Sequence, residues 1–394
     1  MNKSGIKSNL LEDLFRAYYD ARRNKRNTIN ALAFEMNYES NLLALHDDIV
    51  SRTYRIQKSI CFINFKPVQR EIFAADFRDR VVHHLIYNHI APIFEKRFIY
   101  DSYSCRKGKG THFGINRIKK FIRSCSKNYT TDCYILKLDI KGYFMAMNKH
   151  ILYKKVIDEL ETQKGNLPFE YDLIIYLIHI VIFNDPTQGC NLKGKHSDWK
   201  NLPFTKSLFH AEKDCGLPIG NLTSQLFGNI YMDEFDHFVK RDLGIKYYGR
   251  YVDDFILIHT DKDYLLWMIQ KIDSYLSTEL NLQLHPHKIY LQHYTKGVTY
   301  LGAIIKPHRT YVGLRTKGNF YQAIKEQNEI IKSHIPSKSE VDAFVIIMNS
   351  YLGIMKHHKT YKLRRQMITQ NLSENWWKYT YATNNFGKFI MRKR

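Results

Sequence analysis

An α+β fold is the class this sequence predicts, on three observations. Runs rich in β-branched and aromatic residues lie at 56–73, 133–138 and 246–259, bounded by turn-forming residues. The last of these reads as a β-hairpin, with Lys246-Tyr247-Tyr248-Gly249-Arg250 and Phe255-Ile256-Leu257-Ile258-His259 flanking Tyr251-Val252-Asp253-Asp254. Helical spacing of apolar residues covers about 8–50 and returns after residue 306.

Taken in order, residues 8–50 form an amphipathic N-terminal extension through Leu42, Leu45 and Ile49. It is broken by the basic run Arg22-Arg23-Asn24-Lys25-Arg26, which suits a solvated face and a phosphate contact equally. From Ile56 to Phe73 the pattern is strand-like, and a turn marked by Pro67 sets Lys66 and Arg70 where two cations could clasp a triphosphate. A packing helix begins near Asp79 and carries Arg80, Val81, Val82, Leu85 and Ile86. The loop from Asp101 to His112 holds Arg106, Lys107 and Lys109 among two glycines, so its amides and cations suit template or primer phosphates. It lacks the spacing of a P-loop.

Leu173 to Phe183 reads as a buried helix, interrupted by His179 and far shorter than the roughly 20 residues that span a bilayer. The rest of 162–215 is expected to be irregular. After residue 306 strand character fades into three helices, Tyr321 to Ser333, Glu340 to Met355 and Lys359 to Asn371, and then a basic tail.

The 394 residues suffice for two or three subdomains, or for one compact unit with lobes. Sixty Lys and Arg face 38 Asp and Glu, a net charge of +22, with 14% aromatic residues interspersed, so the natural partner is a polyanion bound more weakly as salt rises. An inert basic surface is the competing reading. Cysteines 61, 105, 125, 133, 190 and 215 show neither C-x-x-C nor zinc-finger spacing, which argues against a disulfide framework or structural zinc and for a reducing cytosol. Met1 to Lys7 has no apolar signal-peptide core, and a cytoplasmic location with no membrane partner is expected.

Asp253 and Asp254 repel each other unless a cation neutralises them, and Mg²⁺, with Mn²⁺ as a substitute, favours such oxygen ligands. The best third acid is Asp139, which closes the buried-strand run Cys133-Tyr134-Ile135-Leu136-Lys137-Leu138. Three carboxylates could share two ions about 3.5–4 Å apart, a pair able to activate a primer 3′-hydroxyl, bridge a triphosphate and stabilise leaving pyrophosphate. That is polymerase chemistry. An isolated Asp-Asp pair is more often a solvated turn; the flanking strands favour the metal.

From about residue 56 to 355 the chain resembles a reverse transcriptase. In order come the basic segment 65–72, Leu138-Asp139-Ile140-Lys141-Gly142-Tyr143-Phe144, Gly216-Leu217-Pro218-Ile219-Gly220-Asn221-Leu222-Thr223-Ser224-Gln225, the Tyr-Val-Asp-Asp hairpin, Asn281-Leu282-Gln283-Leu284-His285-Pro286-His287-Lys288, and Thr299-Tyr300-Leu301-Gly302. The resemblance implies a right-hand fold: an N-terminal helical extension (1–55), fingers (56–135, with part of 162–215), a palm of antiparallel strands backed by helices (136–305), and a helical thumb with a basic tail (306–394). It places the metals on Asp139, Asp253, Asp254 and Ile140. Lys288 is implied as the lysine that protonates pyrophosphate, or is a solvated cation. Lys66 and Arg70 would meet the triphosphate, Arg70 with the clearer alignment. Phe144 would crowd a ribose 2′-hydroxyl, Ile219 and Gly220 would contact the nucleotide, and Arg106, Lys107, Lys109, Gln225, Tyr251, Tyr300, Leu301 and Gly302 would hold template RNA and a DNA or RNA primer.

Many reverse transcriptases carry Gln at the position of Ile219 and Pro at that of Gln225. The segment here resembles the enzymes of diversity-generating retroelements of bacteria and phages, which copy a template-repeat RNA into cDNA with errors at adenine. An apolar Ile219 imposes no directional hydrogen-bond test on the nucleotide, which suits low fidelity, although it also suits plain packing. The resemblance implies a small, basic, pentameric accessory protein as partner, with the N-terminal amphipathic region as one docking surface. The alternatives are a retron, group II intron-like or defence-associated enzyme, or a basic RNA-binding scaffold without catalysis.

Overall fold

The computed structural model describes residues 9–23, 28–66 and 68–392. Asn24 to Arg26 of the basic run, Met1 to Lys7 and Pro67 lie outside the described residues.

In chain order, α1 (Leu10–Arg22), α2 (Ile29–Glu35) and α3 (Tyr38–Val50) precede β1 (Ile60–Asn64) and β2 (Arg70–Ala74). There follow α4 (Phe77–Arg97), α5 (Thr111–Cys125), β3 (Tyr134–Asp139), α6 (Tyr143–Ala146), α7 (Lys149–Thr162), α8 (Tyr171–Phe183) and β4 (Asn191–Leu192). Next are α9 (Leu222–Tyr231), α10 (Asp233–His237), β5 (Tyr247–Tyr251), β6 (Asp254–His259), α11 (Lys262–Leu280) and β7 (Tyr290–His293). Last come β8 (Val298–Tyr300), β9 (Ala303–Lys306), β10 (Arg309–Val312), α12 (Leu314–Ser333), α13 (Lys338–Met355), α14 (Tyr361–Asn371), β11 (Thr380–Thr383) and β12 (Lys388–Met391). The α+β class is as expected. No helix among the described residues is long and apolar enough to cross a membrane.

The chain divides into two compact units. The first gathers the described residues up to 108, 137–256 and 266–289; the second gathers 109–136, 257–265 and those from 290 onward.

In the first unit, α1 buries Leu14, Ala17, Tyr18 and Ala21, and α4 is its main neighbour. Asp13 reaches His89 at 3.2 Å and Asn88 donates to Asp20 at 3.0 Å, so the N-terminal extension is part of the core. Asp76 caps α4 by accepting from the Arg78 amide, and the helix buries Val81, Val82, Leu85, Ile86 and Ile90. β1 pairs antiparallel with β2, setting Asn64 against Arg70, and parallel with β4, setting Cys61 against Leu192.

A buried ion pair fixes the β5–β6 hairpin. Arg250 and Asp236 are both fully buried, with Nε to Oδ1 and Nη2 to Oδ2 each at 2.7 Å. Tyr248 donates to the same Oδ1 at 2.6 Å, and Arg250 Nη1 donates to the Val252 carbonyl at 3.0 Å. Gly249 is required beside this pair, because a Cβ there would lie 2.1 Å from the Tyr103 hydroxyl. Tyr103 is in turn held by its amide on the Arg250 carbonyl at 2.9 Å and its hydroxyl on Asp101 at 3.1 Å.

In the second unit, β8, β9 and β10 form an antiparallel meander. Strand character therefore continues past residue 306, against expectation. α13 and α14 start within two residues of the expected positions, whereas α12 begins at Leu314, well ahead of the expected Tyr321; the Ser337–Glu340 capping box explains why α13 begins just after Pro336. Phe344 stacks on Trp376 at 4.0 Å within a core that includes Phe320, Met348, Leu352 and Phe389. The tail was not expected to hold strands, yet β11 and β12 pair antiparallel across a turn in which Asn384, Asn385 and Phe386 have positive φ. The Asn349 amide stands in for a neighbouring strand, accepting from the Phe389 amide at 2.7 Å and donating to its carbonyl at 2.9 Å.

Removing one member of a buried ion pair strands the other. Asp236→Ala is expected to lower stability by about 3–5 kcal/mol, seen as a lower urea midpoint. A loss under about 1 kcal/mol would mean that water reaches Arg250.

Candidate active site

β3 ends on Asp139, and the β5–β6 turn is Val252-Asp253. The Ile140 amide donates to the Asp253 carbonyl at 3.2 Å, which ties the strand end to the turn. On the other side, the His285 amide donates to the Asp139 carbonyl at 2.8 Å and the Lys141 amide to the Gln283 carbonyl at 2.9 Å. Val252 has φ 58°, a region that costs a β-branched residue about 1–3 kcal/mol and persists only where surroundings impose it. The Arg250 guanidinium on the Val252 carbonyl is that imposition.

The three acids are unequally matched by cations. Lys288 Nζ, on a side chain 42% exposed, lies 2.8 Å from Asp139 Oδ1, and Lys137 Nζ lies 3.1 Å from Asp254 Oδ2. Asp254 Oδ1 is buried with no hydrogen-bond partner. Burial, then repulsion from Asp139, pushes the Asp253 carboxyl up to about 6. Burial pushes Asp254 up to about 7, against the pull of Lys137.

An all-oxygen donor set with an orphaned buried carboxylate oxygen fits a hard divalent cation. Among the described residues no three His, Cys, Asp or Glu side chains form a group that could by itself hold a metal ion. Mg²⁺ does not require one, since it keeps several waters and takes one or two carboxylates together with phosphates.

Arg70, exposed at the start of β2, is near enough to stabilise the charged form of Asp253. Lys66 is exposed in the turn ahead of it. Phe144 and Ile219 are half-buried against one cluster made by Cys61, Phe73, Met145 and Leu208. The Phe73 amide donates to the Ile219 carbonyl at 2.9 Å, and Gly220, at φ 129°, comes so close that a Cβ there would sit 2.8 Å from the Phe73 carbonyl. The structure thus brings Asp139, Ile140, Asp253, Asp254, Lys288 and Arg70 together, and sets Phe144 beside Ile219.

Arg106 is a correction: its guanidinium is turned inward to Glu95 at 2.9 Å and to the Ile99 carbonyl at 2.6 Å, over the Phe98 ring, so it shapes the loop and is not displayed to phosphates. Lys107 is exposed in that loop, and Gln225 is exposed on α9. Tyr251 is half-buried at the end of β5, with its hydroxyl pushed up by burial. Lys109, Tyr300, Leu301 and Gly302 belong to the second unit, where Lys109 lies over Phe113 and Leu301 and Gly302 make the β8–β9 turn with φ 49° and 81°.

Sequence reasoning missed Lys137, the Arg250–Asp236 pair and Tyr143. Lys137 lies two positions before Asp139, on the same face of β3, and a lone cation in so apolar a run needed an acid partner. Arg250, within the buried stretch of β5, carried the same hint, but Asp233, Glu234 and Asp236 were equal candidates for its partner. Tyr143 donates to the Gly228 carbonyl at 2.6 Å and docks α6 on α9; nothing in its sequence context marked it.

Residues 66–305 match the family of reverse transcriptases (RNA-dependent DNA polymerases). Protein YkfC of Escherichia coli strain K12 is 22% identical over 271 residues, covering 60% of this chain and 64% of that protein. Among solved structures, the chain is similar to apo telomerase of Candida tropicalis truncated from its C-terminal domain, with a TM-score of 0.45, 15% identity and coverage of 69% of this chain and 59% of that one. Telomerase of Candida albicans in complex with a TWJ fragment of telomeric RNA gives 0.44, 12%, 85% and 61%. The chain thus spans less than two thirds of the length of each.

Because both folded carboxyl values lie above the ordinary range, Asp253 and Asp254 lower the stability of the metal-free fold as pH rises from about 4 through 7. Metal requires the ionised forms, so the sign for binding is opposite. Mn²⁺ affinity by titration calorimetry is expected to rise about tenfold or more between pH 6 and 8. A pH-independent affinity would mean that these two groups do not hold the ion.

Proposed function

Since this chain belongs to the reverse transcriptase family and has the right-hand polymerase fold of that family, we propose that it extends a primer with dNTPs on an RNA template. The observation that carries this reading is the meeting of Asp139, Asp253 and Asp254 beside Lys288 and Arg70.

Asp139, Asp253 and Asp254 would hold the divalent cation, Mg²⁺ or in its place Mn²⁺, which would supply Lewis-acid stabilisation to the phosphoryl transfer. The residues do the rest. Ile140 keeps Asp139 in register with Asp253 through its main chain. Arg70, with Lys66, receives the triphosphate, and Lys288 hands a proton to the departing pyrophosphate. Phe144 rests against the sugar, and Ile219, packed on the same apolar cluster, and Gly220 contact the nucleotide. Lys107, Lys109, Gln225, Tyr251, Tyr300, Leu301 and Gly302 hold primer and template. Fingers are assigned to 56–135 with part of 162–215, palm to 136–305 and thumb to 306–394.

The finer reading is the enzyme of a diversity-generating retroelement, supported by the Gly216 to Gln225 segment and by the apolar Ile219 within it. It would copy a template-repeat RNA with errors at adenine, alongside a small basic pentameric accessory protein. The cytoplasm is the proposed location, which suits six free thiols.

Purified protein with Mg²⁺, four dNTPs and a primed RNA is expected to extend the primer, and Asp253→Asn to do so at least about 100-fold more slowly. Sequencing the cDNA tests the lineage: errors should concentrate at template adenine and fall in Ile219→Gln. Accurate copying would move the enzyme to another lineage, and no extension even with the accessory protein would leave an RNA scaffold. Phe144→Ala is expected to relax discrimination against ribonucleotides by about tenfold or more. Rejection as strong as that of the wild type would remove the ring from the sugar.

A further inference from the structure

The segment 191–211 is given no chemical role in the reading above, yet a buried charge is devoted to it. Glu71, directly after Arg70 on β2, is 1% exposed and has no ion-pair partner among the described residues. Three neutral donors hold its carboxylate instead: Trp199 Nε1 to Oε2 at 2.7 Å, Ser207 Oγ to Oε2 at 2.8 Å and the Leu208 amide to Oε1 at 2.6 Å. A carboxylate this deep is tolerated only when its lone pairs are filled. On the other side of Arg70, the Gln69 side-chain amide donates to the Asp198 carbonyl at 2.7 Å. The residues before and after Arg70 are therefore both fastened to one segment, while Arg70 alternates to the opposite, exposed face.

The same segment reaches the residues assigned to the nucleotide. Leu208 is buried in the cluster against which Phe144, Ile219, Trp199 and Ala211 pack. The Thr205 carbonyl lies 3.0 Å from where a Cβ on Gly142 would stand, three residues after Asp139. Between 196 and 210 the segment is three short 3₁₀ turns, which have few backbone bonds of their own to set a shape.

We propose that Glu71 is a positioning residue for the incoming nucleotide: by locking 198–208 it fixes the direction of Arg70 and the packing beneath Phe144 and Ile219. This rests on the polymerase reading. Glu71 touches no substrate and acts through Arg70.

Glu71→Gln keeps the size but sets an amide N–H against donors that a carboxylate accepted. In single-nucleotide extension its KM for dNTP is expected to rise about tenfold with kcat within about twofold, and Trp199→Phe, which removes one donor, to raise KM about threefold. In an Arg70→Ala background Glu71→Gln should add less than about twofold, because it acts through the residue already removed. A purely structural loss would instead lower kcat and leave KM in place. KM within twofold of wild type in both variants, or the full effect persisting without Arg70, overturns the proposal. Should Glu71→Gln not fold, Trp199→Phe alone decides. Wild-type extension that survives in Asp253→Asn would sink the polymerase reading and this inference together; Asp253-dependent extension with unchanged KM would sink the inference alone.

Discussion

The buried pair Arg250–Asp236 is the constraint on which the site depends. It joins α10 to β5 and, through one further guanidinium bond, holds Val252 in a backbone region that valine avoids. Such a pair is weak as a source of stability, because burying both charges offsets most of their attraction. Its use here is geometric. A guanidinium whose three nitrogens each donate to a fixed acceptor restricts the backbone path, and that path delivers Asp253 to the Ile140 amide and Asp254 to Lys137. The Tyr103 ring against Gly249 closes the remaining freedom, since any side chain at 249 would displace it.

The site also shows how a strongly basic chain manages its few concentrated acids. Across the molecule the excess of cations attracts polyanions at long range. At the centre, Asp253 and Asp254 are half-buried and hold their protons more tightly than free carboxyls do. Lys137, beside Asp254, and Lys288, beside Asp139, soften the repulsion without removing it.

Features set by local pattern could be read from the sequence. The hairpin, the strand ending on Asp139 and the helices near 314–371 were legible because alternation, helical spacing and the Ser337 cap are encoded within a few residues of where they act. Features that depend on partners far along the chain were illegible. Lys137 and Arg250 announced that each needed an acid but not which one. Glu71 stands 128 positions from Trp199, and its role exists only once the fold joins them. The β11–β12 hairpin was missed because its anchor is an amide on α13, distant in sequence from the turn Asn384-Asn385-Phe386-Gly387. Arg106 misled for the opposite reason: a cation beside glycines looks available until Glu95 is seen to hold it.

The seating of α1 on α4 bears on how a binding partner can be sought. Leu14, Ala17 and Tyr18 are interior residues, whereas Ile29, Leu32 and Met36 of α2 and its C-terminal end face solvent. Cutting away the first fifty residues would uncover apolar surface on α4, and the resulting stickiness and aggregation would be mistaken for a change in affinity. A docking map of this region is better drawn with single polar replacements on the outer face of α2, which leave the interior closed.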